Sequence, residues 1–349
     1  MASGKRDIRE LTEDELMAFF SDRGLKAFHG KQVYEWLWRK GSTNFDEMSN
    51  ISKNTRQLLQ ENFRIEKLDV DQEQASSDGT LKLAFRTAEG ELVEGVLIPS
   101  GNRATACISS QIGCKLACTF CATGKIPFRR NLTAGEIYDQ VTAIRRKAGE
   151  LYGLSLSNIV YMGMGEPLMN YDQVVASIAL LTGNKGLGMS PRRITVSTVG
   201  IPEGIRRLAD EGIRSELAVS LHSALEETRS SLVPVNRKYG LDALRRALQH
   251  FHEKTGKRIT FEYLLMGDVN DSLSQARALA DYSRNFPVKI NLIEYNEVEG
   301  TGFKKSDAEK TTAFKEFLES CNMVVNLRRS RGEDIDAACG QLAGRNKKE

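Results

Sequence analysis

The sequence lacks any run near the roughly 18 consecutive apolar residues of a membrane span, and its opening, MASGKRDIRELTEDEL, mixes both charge signs without an apolar stretch. No membrane anchor and no signal peptide are expected, and a cytoplasmic location is the expectation that follows. Charge of one sign is lacking too. Forty-nine Lys and Arg against forty-six Asp and Glu leave +3, far from a protein that coats nucleic acid non-specifically, so any RNA contact must come from local patches. No internal repeat is visible, and no low-complexity segment apart from the basic end Arg345-Asn-Lys-Lys-Glu. The phosphate-binding glycine loops are also missing: Gly24 to Gly30 has the wrong spacing for a P-loop, and Gly163-x-Gly165 lacks the third glycine of a dinucleotide fold.

What is there is ordinary in bulk, with 40% hydrophobic and 27% charged residues over 349 positions. Such a chain buries a sizeable core, which excludes disorder, collagen and coiled coil as whole-chain answers. The length suits one large unit plus a small accessory piece, since β/α barrels reach about 200–250 residues as single domains. Residues 1–62 read as a helical accessory domain, in which Val33, Trp36 and Leu37 share a face with Trp38 beyond. Residues 63–99 read as a β-rich linker, a hairpin of LKLAFRT and ELVEGVLIP around a turn at Ala88-Glu-Gly-Glu. From there to 335, β-branched runs at 104–109, 158–162, 193–197, 215–220, 258–265 and 287–293 alternate with helical patterns. Thr133 and Glu136 form a capping box, and Pro202 suits a first helical turn. Six strands alternating with helices predict an α/β fold, a parallel sheet bent into a partial (βα)6 barrel. A seventh run, 323–328, follows a helix at about 308–320, and 336–349 is left as a C-terminal segment.

The six cysteines carry the sharpest signal. In a reducing compartment they are not structural disulfides, and four of them fall within the fifteen residues 107–121. Cys114, Cys118 and Cys121 form a C-x3-C-x2-C set directly after the first barrel strand. Thiolates are the usual ligands of iron–sulfur clusters, and three of them leave one iron of a cubane open to a small molecule. Two other readings stand beside this one. The three side chains could pack one helix face, or they could hold zinc, although no second C-x2-C or H-x3-H pair is present.

These strings carry a resemblance. ACISSQIGCKLACTFCATG, YMGMGEPLMNY and RGEDIDAACGQLAG, with the N-terminal GKQVYEWLWRKG and FDEMSNISKNTR, resemble the RlmN/Cfr family of radical S-adenosylmethionine (SAM) RNA adenine methyltransferases, the RlmN branch most of all. The likeness spans nearly the whole chain. It implies a radical SAM partial barrel, a [4Fe-4S] cluster on Cys114, Cys118 and Cys121, and two SAM molecules per turnover. Barrel enzymes gather their chemistry at the C-terminal strand ends, where Gly165, Glu166, Ser197, Ser220, Leu221, His222 and Asn296 fall. The resemblance implies that Gly165 and Glu166 meet the methionine ammonium. The others would hold the carboxylate, ribose and adenine of SAM.

Residues outside the cluster loop acquire roles in the same way. The resemblance implies that Cys339 carries the methyl group, Cys107 resolves the product through a transient Cys107–Cys339 disulfide, and Glu94 is a general base. Read from the residues alone, Glu94 is a solvated strand residue, while Cys107 and Cys339 could as well be inert and buried. Cys321 fits nothing in the pattern and reads as packing. The implied reaction is methylation of adenine C2 in 23S rRNA, with the tRNA anticodon loop a second substrate and a flavodoxin- or thioredoxin-like electron donor resetting the thiols. Two alternatives are methylation at C8, which uses the same residues, and a non-catalytic iron–sulfur RNA-binding protein. The target base must leave its stack to reach such a site, which favours loops. Candidate basic contacts are Lys125, Arg129, Arg130, Arg192, Arg193, Arg206, Arg207, Arg328, Arg329 and Arg331.

Overall fold

A computed structural model describes residues 4–344. The basic end from Arg345 therefore lies outside the described residues. Ten strands form one sheet: β1 (Asp69–Ala75), β2 (Leu81–Arg86), β3 (Leu92–Ser100), β4 (Arg103–Cys107), β5 (Leu156–Tyr161), β6 (Ile194–Thr198), β7 (Glu216–Ser220), β8 (Ile259–Leu265), β9 (Val288–Glu294) and β10 (Val324–Arg328). They lie side by side in chain order, so β1 and β10 are the two edges and the barrel is not closed. The strands β4 to β10 are all parallel, while β1 to β4 pair antiparallel. The hairpin expected at 63–99 is present as β2 and β3. It does not stand apart, because it is paired through β4 into the barrel sheet. The strand β1 was not foreseen: DVDQEQA has no apolar alternation, as suits a mostly exposed edge strand.

The two faces of the sheet differ in a way that prepares a site. On one, Ile159, Val196, Leu217, Val219, Phe261, Tyr263, Ile290 and Leu292 are almost completely buried. Among the described residues ten α-helices accompany the sheet, and all but α7 bring apolar side chains to this core: α1 (Glu13–Ser21), α2 (Phe28–Trp38), α3 (Lys53–Asn62), α4 (Ala134–Tyr152), α5 (Tyr171–Thr182), α6 (Pro202–Asp210), α7 (Glu226–Leu232), α8 (Asn236–Thr255), α9 (Leu273–Ser283) and α10 (Ala308–Ser320). Alternation of side chains along a strand sends the intervening residues to the other, concave face. There the register aligns Cys107 with Val160 and Thr195, and Ser220 with Glu262, Asn291 and Asn326. Val160 apart, these residues are polar or thiol-bearing, and much of the row stays within reach of solvent.

The expected caps are formed. Thr133 and Glu136 cap α4 reciprocally, and Pro202 opens α6. The N-terminal helices dock on α4. Trp38 stacks edge-on against Tyr138 at 5.3 Å, the Tyr138 hydroxyl donates to the Trp38 carbonyl, and buried Arg9 donates to Asp139 at 2.8 Å. In α2 it is Val33, Leu37 and Trp38 that are buried, whereas Trp36 stays half-buried, its indole N–H bonded to Asn50. Val33, Leu37 and Trp38 form an i, i+4, i+5 set, so the expected apolar face is rotated by one residue; α2 packs on α1, and Trp38 reaches across to α4. Among the described residues no helix is long and apolar enough to cross a membrane.

Candidate active site

The loop from β4 to α4 carries the three clustered cysteines at the C-terminal end of the strand. It folds back on itself tightly, which fixes where glycine must stand. Gly113 has φ +71°, and a Cβ there would lie 2.3 Å from the Pro127 carbonyl oxygen. A Cβ on Gly124 would lie 2.7 Å from the Cys118 carbonyl oxygen. Cys114, Cys118 and Cys121 pack in a small apolar cluster with Leu116, Phe120, Leu232, Val233 and Tyr295. Burial pushes all three thiols up, Cys114 to about 11, and the charges of Cys121 and Cys114 push Cys118 further. Three such groups cannot all ionise together unless positive charge joins them. Irons bound to thiolates supply that charge. Among the described residues no three His, Cys, Asp or Glu side chains converge on one point that a single ion could occupy. Three thiolates fall one short of a closed structural zinc site, whereas a cluster takes each thiolate on a separate iron.

The next two strand exits border this loop. Glu166, 3% exposed, accepts from the Leu168 N–H at 3.0 Å and the Val199 N–H at 2.9 Å, and burial raises its pKa to about 7. Gly165 before it has φ +94°, and a Cβ there would lie 2.5 Å from Gln111 Cβ. Gln111 in turn accepts from the Glu166 N–H at 2.8 Å. Ser197 and Ser220 lie on the concave face at the ends of β6 and β7, and Leu221 is fully buried just beyond. His222 sits at φ +56°, and its Nδ1 accepts from the Leu264 N–H at 3.1 Å. Its ring meets Phe120 edge-on at 4.6 Å. Burial, helped by the Arg229 charge, drives its pKa down to about 3, so the imidazole is neutral with its proton on Nε2.

The remaining expected residues converge from far apart in sequence. Asn296, 1% exposed, donates from Nδ2 to the Cys339 carbonyl oxygen at 3.3 Å, while its buried Oδ1 has no partner. An orphaned acceptor next to the cysteine loop is what a bound polar nucleoside would satisfy. Cys339 is reached by solvent yet set deep among neighbours, and burial together with the Glu262 charge raises its thiol to about 11. Cys107 is raised to about 12 by burial and by the Cys339 charge. Both are free thiols. Arg328, on the same concave face, favours the thiolate at both cysteines. Glu94, 3% exposed, is no solvated strand residue: it pairs with Lys82 at 3.5 Å. Cys321, half-buried at the end of α10, packs on the core.

Several residues at the site had no sequence signal. Arg229 in α7 is buried and donates to the Leu221 carbonyl at 3.1 Å, to the Val199 carbonyl and to Asn236. It thereby ties the exits of β6 and β7 together. Glu262, with one buried oxygen lacking a hydrogen bond, and Asn291 line the concave face. Their inward register could have been read once the strands were assigned.

Among the basic candidates, Arg130 is held by Glu89 and Glu136, Arg207 by Asp172 and Glu211, and Arg331 by Asp78. Arg192 and Arg193 precede β6, so they lie at the end of the sheet opposite the site. Arg129 faces Glu91 at 3.6 Å, Lys125 donates to the Glu299 carbonyl and Arg206 is half-buried, while Arg328, 3.7 Å from Glu262, and Arg329 are exposed at the C-terminal end of β10.

An open parallel sheet with a three-cysteine loop at the exit of its first barrel strand defines a radical SAM protein, and residues 108–280 match the radical SAM superfamily model. Residues 6–65 match the ribosomal RNA large subunit methyltransferase N-terminal domain. The chain is 50% identical over 341 residues to the probable dual-specificity RNA methyltransferase RlmN of Christiangramia forsetii, covering 98% of this chain and 97% of that one. It is 45% identical over 344 residues to the dual-specificity RNA methyltransferase RlmN of Nitratidesulfovibrio vulgaris, covering 96% and 94%. The crystal structure of a radical SAM methyltransferase from Sphaerobacter thermophilus superposes with a TM-score of 0.91 at 39% identity, covering 97% of this chain and 100% of that one. The chain belongs to the RlmN family of radical SAM RNA methyltransferases.

Proposed function

We propose that the protein methylates C2 of an adenine in 23S rRNA, and of an adenine in the tRNA anticodon loop, by way of a methyl group carried on Cys339. The observation that carries this reading is that Cys339 lies close enough to Cys107 and to Cys121 for their charges to act on one another, with its carbonyl held by Asn296, although positions 107 and 339 are 232 apart in the chain. Cys114, Cys118 and Cys121 would hold a [4Fe-4S] cluster. Gly165, Glu166, Ser197, Ser220, Leu221, His222 and Asn296 would hold SAM against it. When bound, this pair supplies a carbon-centred radical by one-electron cleavage of SAM, chemistry that acid–base catalysis at about 10²–10⁴-fold cannot replace at an electron-poor carbon.

The chain's own thiols do the rest. Cys339 loses its proton and accepts a methyl group from a first SAM by displacement. Arg328 favours that thiolate against the burial that opposes it. Once the carbon is joined to the base, with the ring hydrogen lost as a proton and the one odd electron handed back to the electron donor, the Cys107 thiolate attacks the Cys339 sulfur. The S–S bond forms, and the C–S electron pair leaves with the carbon, which takes a proton to become the product methyl. An external dithiol or flavodoxin-like donor then reduces the disulfide. Among the basic candidates, Arg328 and Arg329 at the rim are the proposed contacts to RNA phosphate.

The test is anaerobic incubation with methyl-labelled SAM and RNA fragments, with the modified carbon mapped by mass spectrometry. Label at adenine C2 that disappears in Cys339→Ala supports the reading. Label at C8 moves the regiochemistry, and full activity of Cys339→Ala refutes the carrier.

A further inference from the structure

Lys82 on β2 and Glu94 on β3 share the face of the sheet that also carries Cys107, since Lys82 pairs with Val96, and Val96 with Cys107. Both side chains are deeply buried, 8% and 3% exposed, with Nζ and Oε1 3.5 Å apart. Removing two charges from water is costly, and an apolar pair would commonly serve stability as well. The remaining hydrogen-bonding capacity of the pair is spent on one short stretch of chain. Lys82 Nζ donates to the Asp336 carbonyl at 3.4 Å. Glu94 Oε2 accepts the N–H groups of Ala343 at 2.8 Å and Gly344 at 3.1 Å. The ion pair thus grips the backbone on both sides of Cys339.

Between these two grips the stretch lies along the rim of the site. The Ala122 N–H donates to the Gly340 carbonyl at 2.8 Å, the Thr123 hydroxyl to the Leu342 carbonyl at 2.6 Å, and Asn296 to the Cys339 carbonyl. Asp336 adopts a left-handed φ of +51° at one grip and Gly344 one of +57° at the other. A Cβ on Gly344 would lie 2.7 Å from the Leu92 carbonyl oxygen, so the chain passes β3 at the closest approach glycine allows.

We infer that Lys82 and Glu94 form a two-ended clasp that sets the position of Cys339, and that Glu94 is a positioning residue acting through that cysteine rather than a proton acceptor at the substrate. A proton acceptor needs a lone pair free to face the base. Here one oxygen faces Lys82, the other takes two N–H groups, and the carboxylate is sealed from solvent. The consequence for catalysis rests on the carrier role proposed for Cys339, whereas the clasp itself does not.

The test is hydrogen–deuterium exchange of the peptide spanning 336–344 in full-length anaerobic protein, read beside RNA methylation. Glu94→Leu and Lys82→Met are expected to speed exchange of that peptide at least tenfold and to leave the β8 and β9 peptides unchanged. The double variant Lys82→Met with Glu94→Gln keeps a carbonyl oxygen to accept the two N–H groups but cannot serve as a base. It is expected to keep the 343–344 end of the peptide protected while the Asp336 end loosens as in Lys82→Met, and to retain at least a tenth of the methylation. A chain ending at Leu342 removes both N–H donors without touching Glu94 and is expected to lose methylation at least tenfold, while a chain ending at Gly344 keeps it.

Unchanged exchange in Glu94→Leu overturns the clasp. A protected but inactive double variant, with a fully active chain ending at Leu342, returns Glu94 to the role of base. If the peptide loosens as expected while Cys339→Ala still methylates RNA, the carrier reading fails and the clasp stands.

Discussion

Replacing Gly165 with alanine tests whether the turn after β5 is shaped by its own geometry. The residue sits at φ +94°, where an L-side chain is strained by about 1–3 kcal/mol. Its Cβ would lie 2.5 Å from Gln111 Cβ, 2.7 Å from Cγ and 2.9 Å from the Gln111 backbone nitrogen, against the roughly 3.5–4.0 Å that non-bonded carbons prefer. Gln111 cannot swing aside freely. Its Oε1 accepts from the Glu166 N–H and its Nε2 donates to Asn131, both at 2.8 Å. Each of these bonds contributes about 1 kcal/mol net, and overpacking a filled site costs about 1–3 kcal/mol. The sum is roughly 4–8 kcal/mol, a large share of a typical stability of about 5–15 kcal/mol.

Anaerobic urea unfolding of the cluster-free protein reads this directly. Gly149→Ala is the internal control: it lies in α4 with nothing within 4 Å of its virtual Cβ, so alanine there is expected to stabilise by about 0.5–1 kcal/mol. The two substitutions should move the midpoint in opposite directions. A Gly165→Ala protein that unfolds within about 0.5 kcal/mol of the parent would refute the reasoning. The glycine would then be explained only by close approach of a ligand.

Three further outcomes are expected. His222 is held neutral, its folded pKa of about 3 lying below the ordinary 6.5. Its contribution is therefore complete above pH 6.5 and lost as pH falls towards 3, at most about 4–5 kcal/mol. The loss of urea midpoint between pH 7 and 4.5 should be shallower in His222→Gln. Arg9→Met strips the cation from Asp139, to which Arg9 donates at 2.8 Å, and from neighbouring Asp7. A cost of about 3–5 kcal/mol should appear in urea unfolding, and proteolysis should release the N-terminal helices first. Arg328→Met should move the alkylation pH profile of Cys339 upward and Glu262→Gln should move it downward, because the first favours the thiolate and the second opposes it. Identical profiles would remove both charges from the account.

The sequence by itself determined what local pattern can carry. The C-x3-C-x2-C spacing set three thiols on one tight loop, the β-branched runs located seven parallel strands, and Thr133 with Glu136 fixed the start of α4. These are legible because burial on one face, capping and ligand spacing are each settled within a few residues. The tertiary structure decided what depends on partners distant in the chain. It paired the polar edge strand β1, turned Trp38 rather than Trp36 into the core, and carried Arg192 and Arg193 to the end of the sheet away from the site. It also buried Glu94, which pattern alone assigns to solvent, by bringing it Lys82 and the backbone of residues 343 and 344. A buried charge is stable only where its counter-charge and hydrogen-bond donors arrive. When those donors lie about 250 positions away, no window of sequence contains the reason.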